Sequence, residues 1–116
     1  MRTAQVITAV VLALVFLPLG VAKIAAARVM RQAAAHLGLS VGLYRVVGTL
    51  EVAGACGLLV GLVRSPLGVA AGTGLTLLMG AAAAAHLRHR DPVARALPAV
   101  ILMLAAGANA CLSAAC

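Results

Sequence analysis

Glu51 is the residue on which any chemistry in this chain must turn. Eighteen residues separate Arg45 from Arg64, and Glu51 alone among them is charged. A carboxylate at the bilayer centre costs about 2.5–3.5 kcal/mol, less when shallower, so it should face other helices and find a partner. Lys23 is the first choice of partner, with His86 and Arg45 next. Paired this way, Glu51 would pin three helices together. Open to one leaflet, it would handle a proton or hold a ligand, and an intramembrane ionisable residue is a functional hypothesis by default. His86 belongs to the one residue type that changes charge near neutral pH. It is also placed to be the first polar side chain leaving the membrane.

The remaining polar residues carry weaker signals. Asp91 followed by Pro92 reads as a helix N-cap and first helical residue. His36 and His89 read as solvated or interfacial, and no two histidines are spaced to grip a haem across facing helices. Asn109 suits an interhelical hydrogen bond. Cys56, Cys111 and Cys116 form no CxxC pair, which removes thioredoxin-type redox and zinc-knuckle chemistry. Cys111 and Cys116 lie about 140° apart on an ideal helix, so pairing them requires the last turn to unwind. No metal site, flavin motif or iron–sulfur motif is visible, and no cofactor is evident from the residues themselves.

The elements that must position Glu51 follow from the spacing of charge. Of the 116 residues, 65% are hydrophobic and 9% charged, against about 45–50% and 25% in soluble domains. That leaves too little polar surface for a water-soluble globule, so the lipid bilayer is the expected partner. Four apolar runs approach or exceed the roughly 18–20 residues a membrane-crossing helix needs. They predict spans at about 4–24, 46–63, 67–86 and 96–114 within a single membrane domain over 1–116. The first run is too long for a cleavable leader, and Lys23 would sit just before the cleavage-like Ala25-Ala26-Ala27. The net charge of +7 is spread along the chain without interleaved aromatics, so nucleic acid is not a partner.

Short hinges at Arg64-Ser65-Pro66 and Arg88–Pro92 join the later spans. Between the first two, Val29, Met30, Ala33, Ala34 and Leu37 fall on one side of a helix and Arg28, Arg31, Gln32 and His36 elsewhere. This predicts a short amphipathic helix in the interface, ended by Gly38. Gly57–Gly61 and Gly68–Gly72 have the small-xxx-small spacing that lets helices approach closely in lipid. Pro18 should kink the first helix and free a carbonyl, and Tyr44 marks an interface. The fold class is therefore all-α, a four-transmembrane-helix bundle with an interfacial helix between helices 1 and 2.

An up-down bundle puts the two charged connections on one face. Lys23, Arg28, Arg31, Arg45, Arg88, Arg90 and Arg95 flank them, against Arg2 and Arg64 opposite. The positive-inside rule places the charged connections in the cytoplasm and both termini outside a plasma membrane. Lys23, Glu51 and His86 reach the same leaflet in either orientation, with Glu51 about 9 Å deeper than Arg45 at 1.5 Å per residue.

Three segments in this order resemble the DoxX-like family of small bacterial membrane proteins. They are FLPLGVAKIA, AAAHLGLSVGLYRVVGTLEVAGACGLLVGL and LTLLMGAAAAAHLRHRD. The resemblance implies a four-helix membrane bundle whose recurrent polar positions match Lys23, Glu51 and His86. It also implies an anchoring or quinone-interacting subunit of a membrane redox complex, with quinone as ligand and a soluble oxidoreductase as partner. Two other functions compete. Small proton-coupled exporters share the length, the four helices and one membrane carboxylate, but carry it in the first helix among aromatics. A scaffold without chemistry needs only the pinning role of Glu51.

Overall fold

Each long helix turns a narrow stripe inward and leaves hydrocarbon on every other side. The computed structural model describes residues 2–115 as five helices: α1 (Arg2–Ile24), α2 (Arg28–His36), α3 (Val41–Val60), α4 (Ser65–Arg88) and α5 (Val93–Ala115). On α1 the buried residues are Gln5, Ala9, Leu12, Ala13, Phe16 and Gly20, and on α4 Gly68, Gly72, Leu75, Met79 and Ala83. Both sets recur at three- and four-residue intervals, which is one face of a helix. The outward faces carry Ile7, Val11, Leu14, Leu77, Ile101 and Leu104, all more than half exposed. A soluble monomer does not leave so much contiguous apolar surface; lipid covers it. All four long helices are long and apolar enough to cross a membrane. The 40 Å long axis matches a bilayer of about 40–45 Å including headgroups.

The helices form a ring in which α1 packs on α3 and α5, and α4 packs on α3 and α5. Glycine sets the closest approaches. A Cβ at Gly20 would lie 2.8 Å from the Gly48 carbonyl oxygen, and one at Gly48 would lie 2.7 Å from that of Gly20. Backbone therefore meets backbone where α1 crosses α3. Between α3 and α4, Gly61 abuts Gly68 and Gly57 faces Ala71, while Gly72 seats the Ala110 side chain of α5. The small-xxx-small residues thus pack helices within one chain.

The expected second span, 46–63, is shifted. Ser40 Oγ accepts the Leu43 N–H at 3.0 Å, and this N-cap starts α3 at Val41. Arg45 is consequently inside the helix, not flanking it, and α3 ends at Val60 ahead of the Gly61 turn. The interfacial helix between α1 and α3 is α2. It buries Ala34 and packs Leu37 beneath it, with Arg28, Arg31 and Gln32 exposed. Val29, expected on the apolar side, is 70% exposed.

The three carboxyl-terminal helix ends on the charged face, those of α1, α2 and α4, close in the same way. The residue past the cap takes positive φ: Ala26 (53°), Gly38 (71°) and Arg90 (56°). The following N–H then bonds back across the last turn: Ala27 to Ala22 O, Leu39 to Ala34 O, Asp91 to His86 O. These are Schellman motifs, which satisfy carbonyls a helix end leaves free. Only Gly38 adopts that conformation without a Cβ penalty.

Candidate functional site

The Schellman turns and the glycine crossing aim polar side chains at one end of the bundle. Side chains on a helix lean toward its N-terminus. On α1 that direction points Lys23 back into the bundle, and on antiparallel α3 it points Glu51 toward the charged face, so the two converge. Gly20 and Gly48 each lie three residues before the charged residue, and their contact brings the helices close enough for the pair to form. Lys23 Nζ donates to Glu51 Oε1 at 2.6 Å. The Glu51 side chain is 1% exposed and that of Lys23 12%. Nζ also lies 5.0 Å from the centre of the Tyr44 ring, close enough for a cation–π contact. Tyr44 is seven residues before Glu51, on the same face of α3.

Glu51 Oε2 is buried with no hydrogen-bond partner. An unsatisfied buried acceptor costs about 1–3 kcal/mol, more when charged. Glu51 borders a cavity of about 380 Å³ inside the ring, with Phe16, Val47, Met79 and Leu102 among its apolar walls and Lys23, Tyr44, His86 and Arg95 as its other polar groups. That volume falls in the range of about 300–1,000 Å³ typical of small-molecule sites. Leu37 and Leu39, at the end of α2, line the charged-face end.

Of the residues singled out from sequence, Lys23, Glu51 and His86 share this cavity, and Arg45 does not line it. Arg45 is exposed. Six residues at 100° each place it about 120° around α3 from Glu51.

His86 is not the partner of Glu51. Its Nδ1 donates to Asp91 Oδ2 at 2.7 Å, and His36 Nε2 donates to Asp91 Oδ1 at 2.7 Å. Asp91 therefore is not the helix cap expected of it. It stands second past the cap of α4, where a hydrophobic residue more often contacts the last turn, and joins α2 to α4 through two imidazoles. Its side chain is 5% exposed. The hydrogen bond from His86, then that from His36, hold its carboxyl below the usual carboxylate range. His36, read as solvated, is 45% exposed but engaged. His89 is exposed, with Nδ1 on the Ala85 carbonyl.

A second polar cluster sits at the opposite end of the bundle, and sequence reasoning reached only its Asn109. Asn109 Nδ2 donates to Thr8 Oγ1 at 2.8 Å and to the Gln5 carbonyl at 3.2 Å. Gln5 Nε2 donates to Ser113 Oγ at 3.4 Å. Gln5, Asn109 and Ser113 are each 1% exposed. The signal available was their position: Gln5 begins the inward stripe of α1, while Asn109 and Ser113 lie four apart on α5. Every member has a partner, so the cluster ties α1 to α5. Among the described residues no three His, Cys, Asp or Glu side chains are grouped to hold a metal ion. The Cys111–Cys116 pairing lies outside the described residues.

A profile of the DoxX-like family matches residues 7–108, a stretch that includes all the cavity's polar groups. The chain belongs to the DoxX-like family. No curated protein and no solved structure matches it. In this DoxX-like protein the matched region runs from within α1 to Ala108 in α5, so most of the bundle, all of α2 and the Asp91 bridge lie inside it.

Proposed function

We propose that this protein is the membrane subunit of a redox complex, holding a lipid-soluble quinol by its hydroxyl head in the cavity beside Glu51. The observation that carries the reading is the buried, unpartnered Oε2. Pinning α1 to α3 occupies Oε1 alone, so a purely structural role leaves a carboxylate oxygen unsatisfied next to a mostly apolar cavity. A hydroxyl donor on the ligand satisfies it. Lys23 positions the carboxyl group through Oε1, and His86 and Arg45 are not needed for this contact. When bound, a quinone–quinol couple carries two electrons and two protons through the membrane phase. The electrons are assigned to a soluble oxidoreductase that docks on the basic face.

The exporter reading gains less support, because the cavity's aromatic lining is limited to Phe16 and Tyr44. The orientation belongs to this proposal too: seven basic residues flank the charged connections against two opposite, which favours that face in the cytoplasm. Tags on both termini that antibodies reach on intact cells support it, and tags reached only after lysis overturn it.

The binding test uses the purified protein in lipid nanodiscs, titrated with a short-tailed quinol. Wild type should bind saturably, and Glu51→Gln should bind about tenfold or more weakly, since a hydrogen bond to a charged group contributes roughly 1.5–3 kcal/mol. Equal affinity in the two proteins overturns the assignment of Glu51, and absence of saturable binding in wild type overturns the function.

A further inference from the structure

The head cavity adjoins a second, larger recess on the outside of the bundle. A groove of about 650 Å³ runs between α3 and α4, with Gly54, Gly57, Leu67, Ala71 and Gly74 among its lining residues. Leu78 and Ala81 line both this groove and the head cavity. On α3 the two spaces are bordered by consecutive residues, Leu50 on the groove and Glu51 on the cavity. From Leu67 to Ala81 the groove follows α4 for about 20 Å at 1.5 Å per residue, along the direction in which lipid chains lie.

Glycine explains why the groove exists. Where Gly61 meets Gly68, a Cβ on Gly61 would collide with the Gly68 backbone, and one on Gly68 would lie 2.7 Å from Ser113 Oγ and 3.2 Å from Gly61 Cα. Farther along, Gly54 receives the Leu75 side chain, but a Cβ on Gly74 would meet nothing within 4 Å. Gly74 is exposed and so leaves an indentation beside a helix pair already in contact. Beyond it Val47 and Glu51 on α3 and Leu78, Ala82 and His86 on α4 border the cavity.

We propose that this groove seats the hydrocarbon tail of the ligand whose hydroxyl head meets Glu51, entering the cavity past Leu78 and Ala81. The inference rests on the quinol reading and adds the substrate class: a compact hydroxyl head on one long linear tail, selected over tail-less quinols. Cavity and groove are one site. The tail leaves the bundle sideways between α3 and α4, so the ligand reaches Glu51 from the membrane without crossing the α2 side of the molecule.

The experiment compares wild type with Gly74→Leu in nanodiscs, titrated with a tail-less quinol and with a decyl-tailed quinol, affinities expressed on the membrane-bound concentration. A Cβ at position 74 meets nothing within 4 Å, so the variant is expected to fold, and thermal unfolding checks this. Gly74→Ala provides a smaller obstruction in the same place. The expected result is a loss of about tenfold for the tailed quinol in Gly74→Leu, the scale of one overpacked side chain in an apolar site, with the tail-less quinol unchanged. Gly74→Ala should fall between. Tailed-quinol affinity equal in wild type and Gly74→Leu overturns the tail seat while leaving the Glu51 reading in place. An equal loss for both ligands overturns it as well, because the substitution would then act on the head. Displacement of a co-purified phospholipid without change in quinol affinity assigns the groove to structural lipid and overturns it. Failure of both quinols to bind wild type overturns the tail seat together with the reading beneath it.

Discussion

At Glu51 the two carboxylate oxygens have different work. Oε1 is committed to Lys23, and Oε2 is buried without a partner in a residue that borders the cavity. On the proposed function, this division separates holding the bundle together from binding a ligand. Lys23→Met leaves the buried carboxylate without its cation, a change that costs about 3–5 kcal/mol where the charge cannot be neutralised. Replacing both partners, Lys23→Met with Glu51→Leu, removes the uncompensated charge, and such exchanges are often neutral or stabilising. Unfolding in mixed micelles should therefore rank Lys23→Met well below wild type and the double variant close to it, with quinol binding lost in both. A double variant as unstable as the single one would mean that the pair contributes more than charge balance. The Lys23–Glu51 pairing was legible because a single acid in a long apolar run has few cations within reach. Asp91 was not, because local cap chemistry and Pro92 gave it a sufficient role. Its true partners, His36 and His86, lie 55 and 5 residues away, and only the turn geometry unites them.

Among the elements, α2 is the one held by polar contacts and least by packing. It buries Ala34 alone within its own span, and its carboxyl-terminal end is fastened through His36 to Asp91. The depressed carboxyl of Asp91 fixes the sign of the pH dependence. A group whose folded pKa lies below its unfolded one contributes stability at pH above the unfolded value, about 3.9 for aspartate, and loses it as pH falls through the folded value. A spin label at Val29, 70% exposed, should report constant mobility of α2 from pH 7 to about 4 and increasing mobility below that. Asp91→Asn, which keeps one acceptor oxygen for two imidazoles, should already be mobile at pH 7. Equal label mobility in the two proteins at pH 7 would show that the bridge does not hold α2. The long helices were readable from charge spacing alone, to within a few residues at their ends. The start of α3 was missed because Arg45 read as the charge flanking the span, whereas the Ser40 cap starts the helix at Val41, ahead of it.

At the scale of the molecule, the fold separates two polar regions by a hydrocarbon core. The Gln5–Asn109–Ser113 cluster closes one end and is fully partnered, while the Lys23–Glu51 end keeps a cavity and a free carboxylate oxygen. The cavity itself was not visible in the sequence: its walls are largely ordinary Ala, Leu and Met, brought together from the four long helices. The central claim, that Glu51 meets a ligand through Oε2, is tested most directly by infrared difference spectroscopy in nanodiscs on adding the short-tailed quinol. The account predicts a shifted carboxylate stretching band that is absent from Glu51→Gln. Saturable binding with no change in any carboxylate band, or the same band change in Glu51→Gln, would contradict it.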